Sequence, residues 1–143
     1  MVSSDSDKLN DLVCRPVELQ AISDSRGTIF VLEGKNLPFK VKRLFITYHK
    51  AGTRGNHAHR KLKQIIVLIR GKIRVRLIGR NFDNEFILNT PSSAVFIPPM
   101  TWTELSDVER ESVFLVLASE EFEMNDYIGK WTEFEKIIKK STK

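Results

Sequence analysis

At 143 residues, with 41% hydrophobic residues and a net charge of +5, the chain can bury a core of its own but is too short for several ordinary domains. A single cysteine, Cys14, excludes an internal disulfide framework and reads as a small core residue. No apolar run approaches the roughly 20 residues of a membrane span, and the N-terminus lacks the basic and apolar regions of a secretory signal. A cytoplasmic protein with no membrane partner is therefore expected.

The charge is unevenly spread. Positions 34–82 hold 14 Lys or Arg and no Asp or Glu, whereas eight acids crowd positions 104–126. Such a division can concentrate an anionic ligand or help subunits pair. A nucleic acid polymer is not expected as a partner, because the basic residues alternate with core-type apolar ones and no zinc-finger or basic-zipper pattern appears.

In chain order, residues 1–10 are polar and read as a flexible tail, leaving residues 11–143 as one domain. Residues 11–22 form a weak or edge strand. Asp24-Ser-Arg-Gly27 is a turn, with Gly27 supplying a positive φ and Asp24 bonding its own backbone. Residues 28–32 and 41–49 are rich in β-branched and aromatic residues and read as strands. Residues 64–69 are a continuous apolar run of strand length, turned back at Gly71. Ile73, Val75 and Leu77 then alternate with the outward Lys72, Arg74 and Arg76. Residues 85–88, 94–97 and 113–118 complete the strands. Only the end looks helical: Thr132-Glu-Phe-Glu135 has the pattern of a capping box with Thr132 as the cap, and Trp131, Phe134 and Ile138 fall on one face. Nine or ten short strands and one short C-terminal helix predict an all-β sandwich or barrel.

The chemistry concentrates at His57-Ala-His59, two of the three histidines. On an extended segment both imidazoles point to one face, with Cα atoms about 6.5 Å apart; on a helix they would diverge. The pair can bind a metal, move protons or pack. The spacing from Gly52 through His57, His59 and Gln64 to Gly71 resembles the first cupin motif, whose metal-binding members use the two histidines and an acid as ligands. Here the neutral amide of Gln64 replaces the acid, and residues 98–104, where a second motif would supply a histidine, contain none. No metal and no cofactor are therefore expected. An imidazole pair without metal suits acid–base work near neutrality.

A wider set of residues carries a family resemblance. Arg54-Gly-Asn-His-Ala-His-Arg60, Lys63-Gln64, Phe96-Ile-Pro-Pro-Met-Thr-Trp102, Val116-Leu-Ala-Ser119 and Asn125-Asp-Tyr-Ile128 resemble the sugar-nucleotide 3,4-ketoisomerases, the WxcM-like cupins. Asp24-Ser-Arg-Gly27 and Pro38-Phe-Lys-Val-Lys-Arg43 extend the match over most of residues 12–135. The resemblance implies a cupin-type jelly roll that forms a homodimer and works without metal. Its substrate would be a dTDP-linked 4-keto-6-deoxyhexose, dTDP-4-keto-6-deoxyglucose, whose ketone moves from C4 to C3 through an enediol. The product would feed synthesis of a dideoxy amino sugar, beside an aminotransferase and an acetyltransferase.

By the same resemblance His57 and His59 are the acid–base pair and Arg54 a pyrophosphate or oxyanion contact. Tyr48, Lys63, Gln64 and Arg74 become pocket-lining candidates, with Arg26, Trp102 and Thr103 bordering the sugar. Two departures stand out. Thr103 sits where many members carry His or Arg, a position that, with the one matched to Arg26, helps set the C4 configuration, so the galacto or gluco outcome stays open. Tyr127-Ile-Gly129 replaces a frequent Tyr-Ile-Arg. The rival readings are a cupin that binds a sugar nucleotide without turning it over, and a metal-dependent cupin enzyme with a rearranged ligand set.

Overall fold

Alternation along residues 73–78 sets the middle of the architecture: Ile73, Val75 and Leu77 are fully buried, while Arg74 and Arg76 face outward. The computed structural model describes residues 11–140, and the expected tail at residues 1–10 lies outside the described residues. The strands are β1 (Arg15–Val17), β2 (Gln20–Asp24), β3 (Gly27–Val31), β4 (Arg43–Tyr48), β5 (Arg54–His59) and β6 (Gln64–Arg70). They continue as β7 (Ile73–Ile78), β8 (Asp83–Leu88), β9 (Ala94–Ile97), β10 (Trp102–Ser106), β11 (Val113–Ala118) and β12 (Tyr127–Ile128), before helix α1 (Trp131–Lys140).

Two five-stranded sheets face each other, one ordered β1-β9-β6-β11-β4 and the other β12-β5-β10-β7-β8, and β2-β3 forms a separate hairpin. Every ladder is antiparallel. This is the all-β sandwich expected, closed by one C-terminal helix. The interior between the sheets is filled by Ile66, Leu68, Ile73, Val75, Leu77, Phe114 and Val116, with Cys14 at its edge.

Because β6 and β11 are apolar on both faces, they need a second cover. Ile65, Val67, Phe96 and Leu117 point away from the interior and are packed by Leu19, Leu32, Leu37 and Phe39 from the segment that precedes β4. On the outside of the other sheet, Trp102, Ala58 and Ile128 form a third cluster with Phe134 of α1. The Trp102 ring stands 5.5 Å from Trp131 and 5.8 Å from Phe134. The predicted apolar stripe of the helix is thus its packing face. The predicted cap is not found: α1 begins at Trp131, and the Phe134 N–H donates to the Lys130 carbonyl, which places Thr132 inside the first turn.

β10 was not anticipated, since Trp102-Thr-Glu-Leu-Ser106 is too polar to announce a strand, yet it is held between β5 and β7. Its pairing with β5 is irregular, shifting register between Thr103 and Glu104. Opposite that shift β5 carries two residues with positive φ, Gly55 at 85° and Asn56 at 57°. A Cβ on Gly55 would sit 2.7 Å from the Thr103 carbonyl oxygen. Gly55→Ala should therefore lower stability by about 1–3 kcal/mol through strain and forced separation of β5 from β10. Urea denaturation measures this, and an unchanged midpoint would contradict it.

Candidate active site

β5 is extended at its C-terminal half, so His57 and His59 emerge on one face. Their rings are 4.9 Å apart and nearly perpendicular at 85°. β12 closes the far side of this pair, because Tyr127 is the ladder partner of His59. The Tyr127 ring lies 4.3 Å from His59 and 5.2 Å from His57.

Asp126 anchors the deeper histidine. Its Oδ2 lies 3.1 Å from His59 Nδ1, and its Oδ1 accepts the Lys61 N–H at 2.8 Å. A carboxylate can only accept, so the shared proton belongs to His59 Nδ1 and leaves Nε2 as a bare lone pair. That Nε2 is buried and has no protein partner among the described residues. Burial drives the His59 pKa down from 6.5 to about 4, helped by the neighbouring His57 and by Arg43 and opposed by Asp126. His59 is thus a neutral imidazole with a fixed tautomer.

His57 lines a cleft of about 180 Å³, and the His59 ring adjoins that of His57. His57, Arg54, Gln64, Thr103 and Tyr127 give it polar groups, and Phe45, Ile66, Phe114 and Val116 supply apolar walls. Gln64 and Thr103 are buried here because the dyad period of β6 and β10 turns them inward. Thr103 stands directly across the ladder from His57. Arg54 Nε donates to the Nδ1 of the buried His49 at 3.3 Å. Arg43 lies over the Phe45 and Phe122 rings, 5.2 and 5.7 Å from their centroids. A larger open groove of about 770 Å³, between the β2-β3 hairpin and β8, is lined by Glu18 and Glu85 and holds no histidine.

Five expected pocket residues lie elsewhere within one subunit. Tyr48 points outward with Leu44 and Ile46, since the inward positions of β4 are Phe45 and Thr47. Lys63 precedes the inward Gln64, faces a different groove and pairs with Asp11. Arg74 obeys the outward alternation of β7 and bridges Glu85 and Asp107. Arg26 sits in the β2-β3 turn, bonded to Asp24 and largely in solvent. Trp102 is packed beneath α1. Conversely, Asp126, Tyr127 and His49 were missed as site residues. Asp126 was counted with the acidic run, and the only signal available was its place beside an aromatic in Asn125-Asp-Tyr-Ile128.

Among the described residues no group of three His, Cys, Asp or Glu side chains converges as metal ligands. His57 and His59 are accompanied by an amide, Gln64, and the Nδ1 of His59 is engaged by Asp126.

Residues 13–139 match the family model described as FdtA: WxcM-like, C-terminal. The chain belongs to the WxcM-like family. Its WxcM-like relatives include the TDP-4-oxo-6-deoxy-alpha-D-glucose-3,4-oxoisomerase of Aneurinibacillus thermoaerophilus, 36% identical over 127 residues, which cover 87% of this chain and 91% of that protein. A 3,4-ketoisomerase from Helicobacter canadensis superposes with a TM-score of 0.83 at 31% identity, over 88% of this chain and 97% of that one. A His-to-Asn variant of the 3,4-ketoisomerase from Thermoanaerobacterium thermosaccharolyticum, solved with TDP-4-keto-6-deoxyglucose, matches with a TM-score of 0.82 at 32% identity, over 90% and 96% of the two chains. The cupin-type sandwich is common to this chain and the two solved structures.

The burial of His59 has a measurable consequence. The unfolded chain takes up a proton on this residue below about 6.5, whereas the folded chain refuses it until about 4. Stability should therefore fall as the pH drops through that window, by up to about 3 kcal/mol, and be insensitive to this group above it. Comparing the pH dependence of urea unfolding in the wild type and His59→Asn isolates the effect. Parallel curves would contradict it.

Proposed function

We propose that this WxcM-like chain is a dTDP-4-keto-6-deoxyglucose 3,4-ketoisomerase that moves the ketone from C4 to C3 by histidine acid–base catalysis. The observation that carries this reading is the imidazole pair at the cleft, 4.9 Å apart, with one member locked by Asp126 in a single tautomer. The Aneurinibacillus relative is named for this substrate and the Thermoanaerobacterium variant was solved holding it, and the cleft combines His57 with a guanidinium suited to a diphosphate.

His57 lines the cleft and is assigned the carbon-bound proton. The C4 ketone acidifies C3–H; as His57 takes that proton, the C–H electron pair forms C3=C4 and the carbonyl pair moves to O4. O4 gains a proton as O3 gives one up, and the neutral His59 Nε2 is assigned the relay. The O3 electron pair then forms the new carbonyl while C4 accepts a proton, so no proton or electron is gained or lost. Gln64 and Thr103 are assigned to holding the sugar. Thr103, opposite His57 on the ladder, is assigned to border the sugar near C4.

A homodimer is part of this reading. Leu44, Ile46 and Tyr48 form an exposed apolar row on the edge strand β4, and the ladder partners Ile22 and Ile29 form an exposed apolar pair on the β2-β3 hairpin. Uncovered edges and apolar patches of this kind favour association. Arg26, held away from its own cleft, would then act only through a partner subunit. Ile46→Glu should halve the mass seen by light scattering, and an unchanged mass, or a wild-type monomer, would exclude this surface as the interface.

Incubation with dTDP-4-keto-6-deoxyglucose in deuterated water tests the reaction. Deuterium should enter at C4 of a 3-keto product and at C3 of substrate re-formed by the reverse step, and His57→Asn should slow exchange by about 10²–10⁴-fold. Asp126→Asn should lower kcat on the order of tenfold or more, the worth of about one oriented hydrogen bond, with little change in KM. Saturable thymidine diphosphate binding without exchange would instead make the chain a non-catalytic sugar-nucleotide binder.

A further inference from the structure

The arginines of this chain differ in what holds them, and four are held by acids. Arg26, Arg60, Arg74 and Arg76 each pair with a carboxylate, from Asp24, Glu133, Glu85 and Asp83 respectively. Such partners fix the guanidinium and neutralise its charge together. Arg54 differs. Its Nε donates to the ring nitrogen Nδ1 of His49, 3.3 Å away, and no carboxylate pairs with it among the described residues.

His49 is well placed to hold it. The residue is 1% exposed, its N–H donates to the Ser112 carbonyl at 2.9 Å, and its carbonyl accepts the Glu111 N–H at 2.8 Å. The backbone is therefore tied at the end of β4 to the loop before β11, and the ring is buried. Arginine Nε–H can only donate, so His49 Nδ1 must present a lone pair and its proton must sit on Nε2. A neutral imidazole fixes the side chain at Nε without cancelling the positive charge, leaving both Nη groups as a fork for an oxyanion.

We propose that His49 is a positioning residue that aims the charged fork of Arg54 at the diphosphate of a nucleotide sugar. The inference rests on the reading of Arg54 as the diphosphate contact. It gives the third histidine, which lies outside the His-X-His motif, a role that its position in the sequence does not reveal. It also explains why a polar ring is buried at the end of an otherwise hydrophobic strand.

Three substitutions in the full-length chain separate geometry from charge. His49→Leu removes the acceptor, His49→Asn keeps a neutral acceptor near the Nδ1 position, and His49→Asp puts a charged acceptor there at equal size. Calorimetric titration with thymidine diphosphate should show binding weakened about five- to tenfold in His49→Leu and at least as much in His49→Asp. His49→Asn should stay within about twofold of the wild type. With substrate, the loss should appear in KM while kcat changes little. The effect of His49→Leu should vanish when Arg54 is already Met.

If Arg54→Met leaves thymidine diphosphate binding unchanged, the diphosphate role of Arg54 is wrong. If Arg54→Met weakens binding but His49→Leu and His49→Asp do not, only the positioning role of His49 is overturned. Equal losses in the Asn and Asp variants would overturn the charge argument. Should His49→Leu fail to fold, nitrogen NMR of the wild type decides: an unprotonated His49 Nδ1 coupled to the Arg54 Nε–H supports the proposal, and a protonated Nδ1 overturns it.

Discussion

The hydrogen bond between His59 Nδ1 and Asp126 Oδ2 is the constraint on which the cleft depends. Both side chains are buried, so leaving either without the other would strand a polar group where water cannot reach it. Asp126 is engaged three times over, through Oδ2 to His59, through Oδ1 to the Lys61 N–H and through its carbonyl to the Arg60 N–H. These contacts draw the segment before β12 onto the end of β5. Tyr127 then falls against both imidazoles, Ile128 enters the cluster beneath α1, and the helix starts where it can cover Trp102. A single acid thus ties the tautomer of His59 to the closure of one sheet.

The charge pattern follows from the same economy. Outward-facing arginines on β7 are matched by acids on β8 and in the loop after β10, which keeps the basic half of the sequence from repelling itself. Around the cleft the balance is different: Arg54 is held by a neutral ring, and Arg43 lies over aromatic faces. Positive charge therefore persists near the histidines, where it depresses the basicity of His59 and favours an anionic ligand. On the proposed reaction the two effects cooperate, since the field that receives a diphosphate adds to the burial that keeps His59 neutral.

Much of this was legible from residue order. The runs at Gln64–Arg70 and Val113–Ala118, the alternation in Ile73–Ile78 and the turn at Gly27 have local causes, and each appears where its pattern places it. His57 and His59 share a face because they are two residues apart on a strand. Arg74 shows how a residue can satisfy one rule and be assigned by another: the dyad period already put it outside. Trp102 was expected to border the sugar, but its ring packs under α1 against Trp131 and Phe134, contacts distant in sequence that no local pattern encodes. Asp126 and His49 stayed hidden for the same reason, since their partners are 67 and 5 residues away and meet only after the sheets assemble.

The state of His59 offers the most direct test of the account. Nitrogen NMR of its ring, followed from pH 7 downward, should show Nδ1 protonated and Nε2 bare, with no imidazolium until the pH approaches about 4. An imidazolium at pH 6, or a proton on Nε2 in place of Nδ1, would contradict the claim that Asp126 and burial together hold a neutral imidazole of fixed tautomer beside His57.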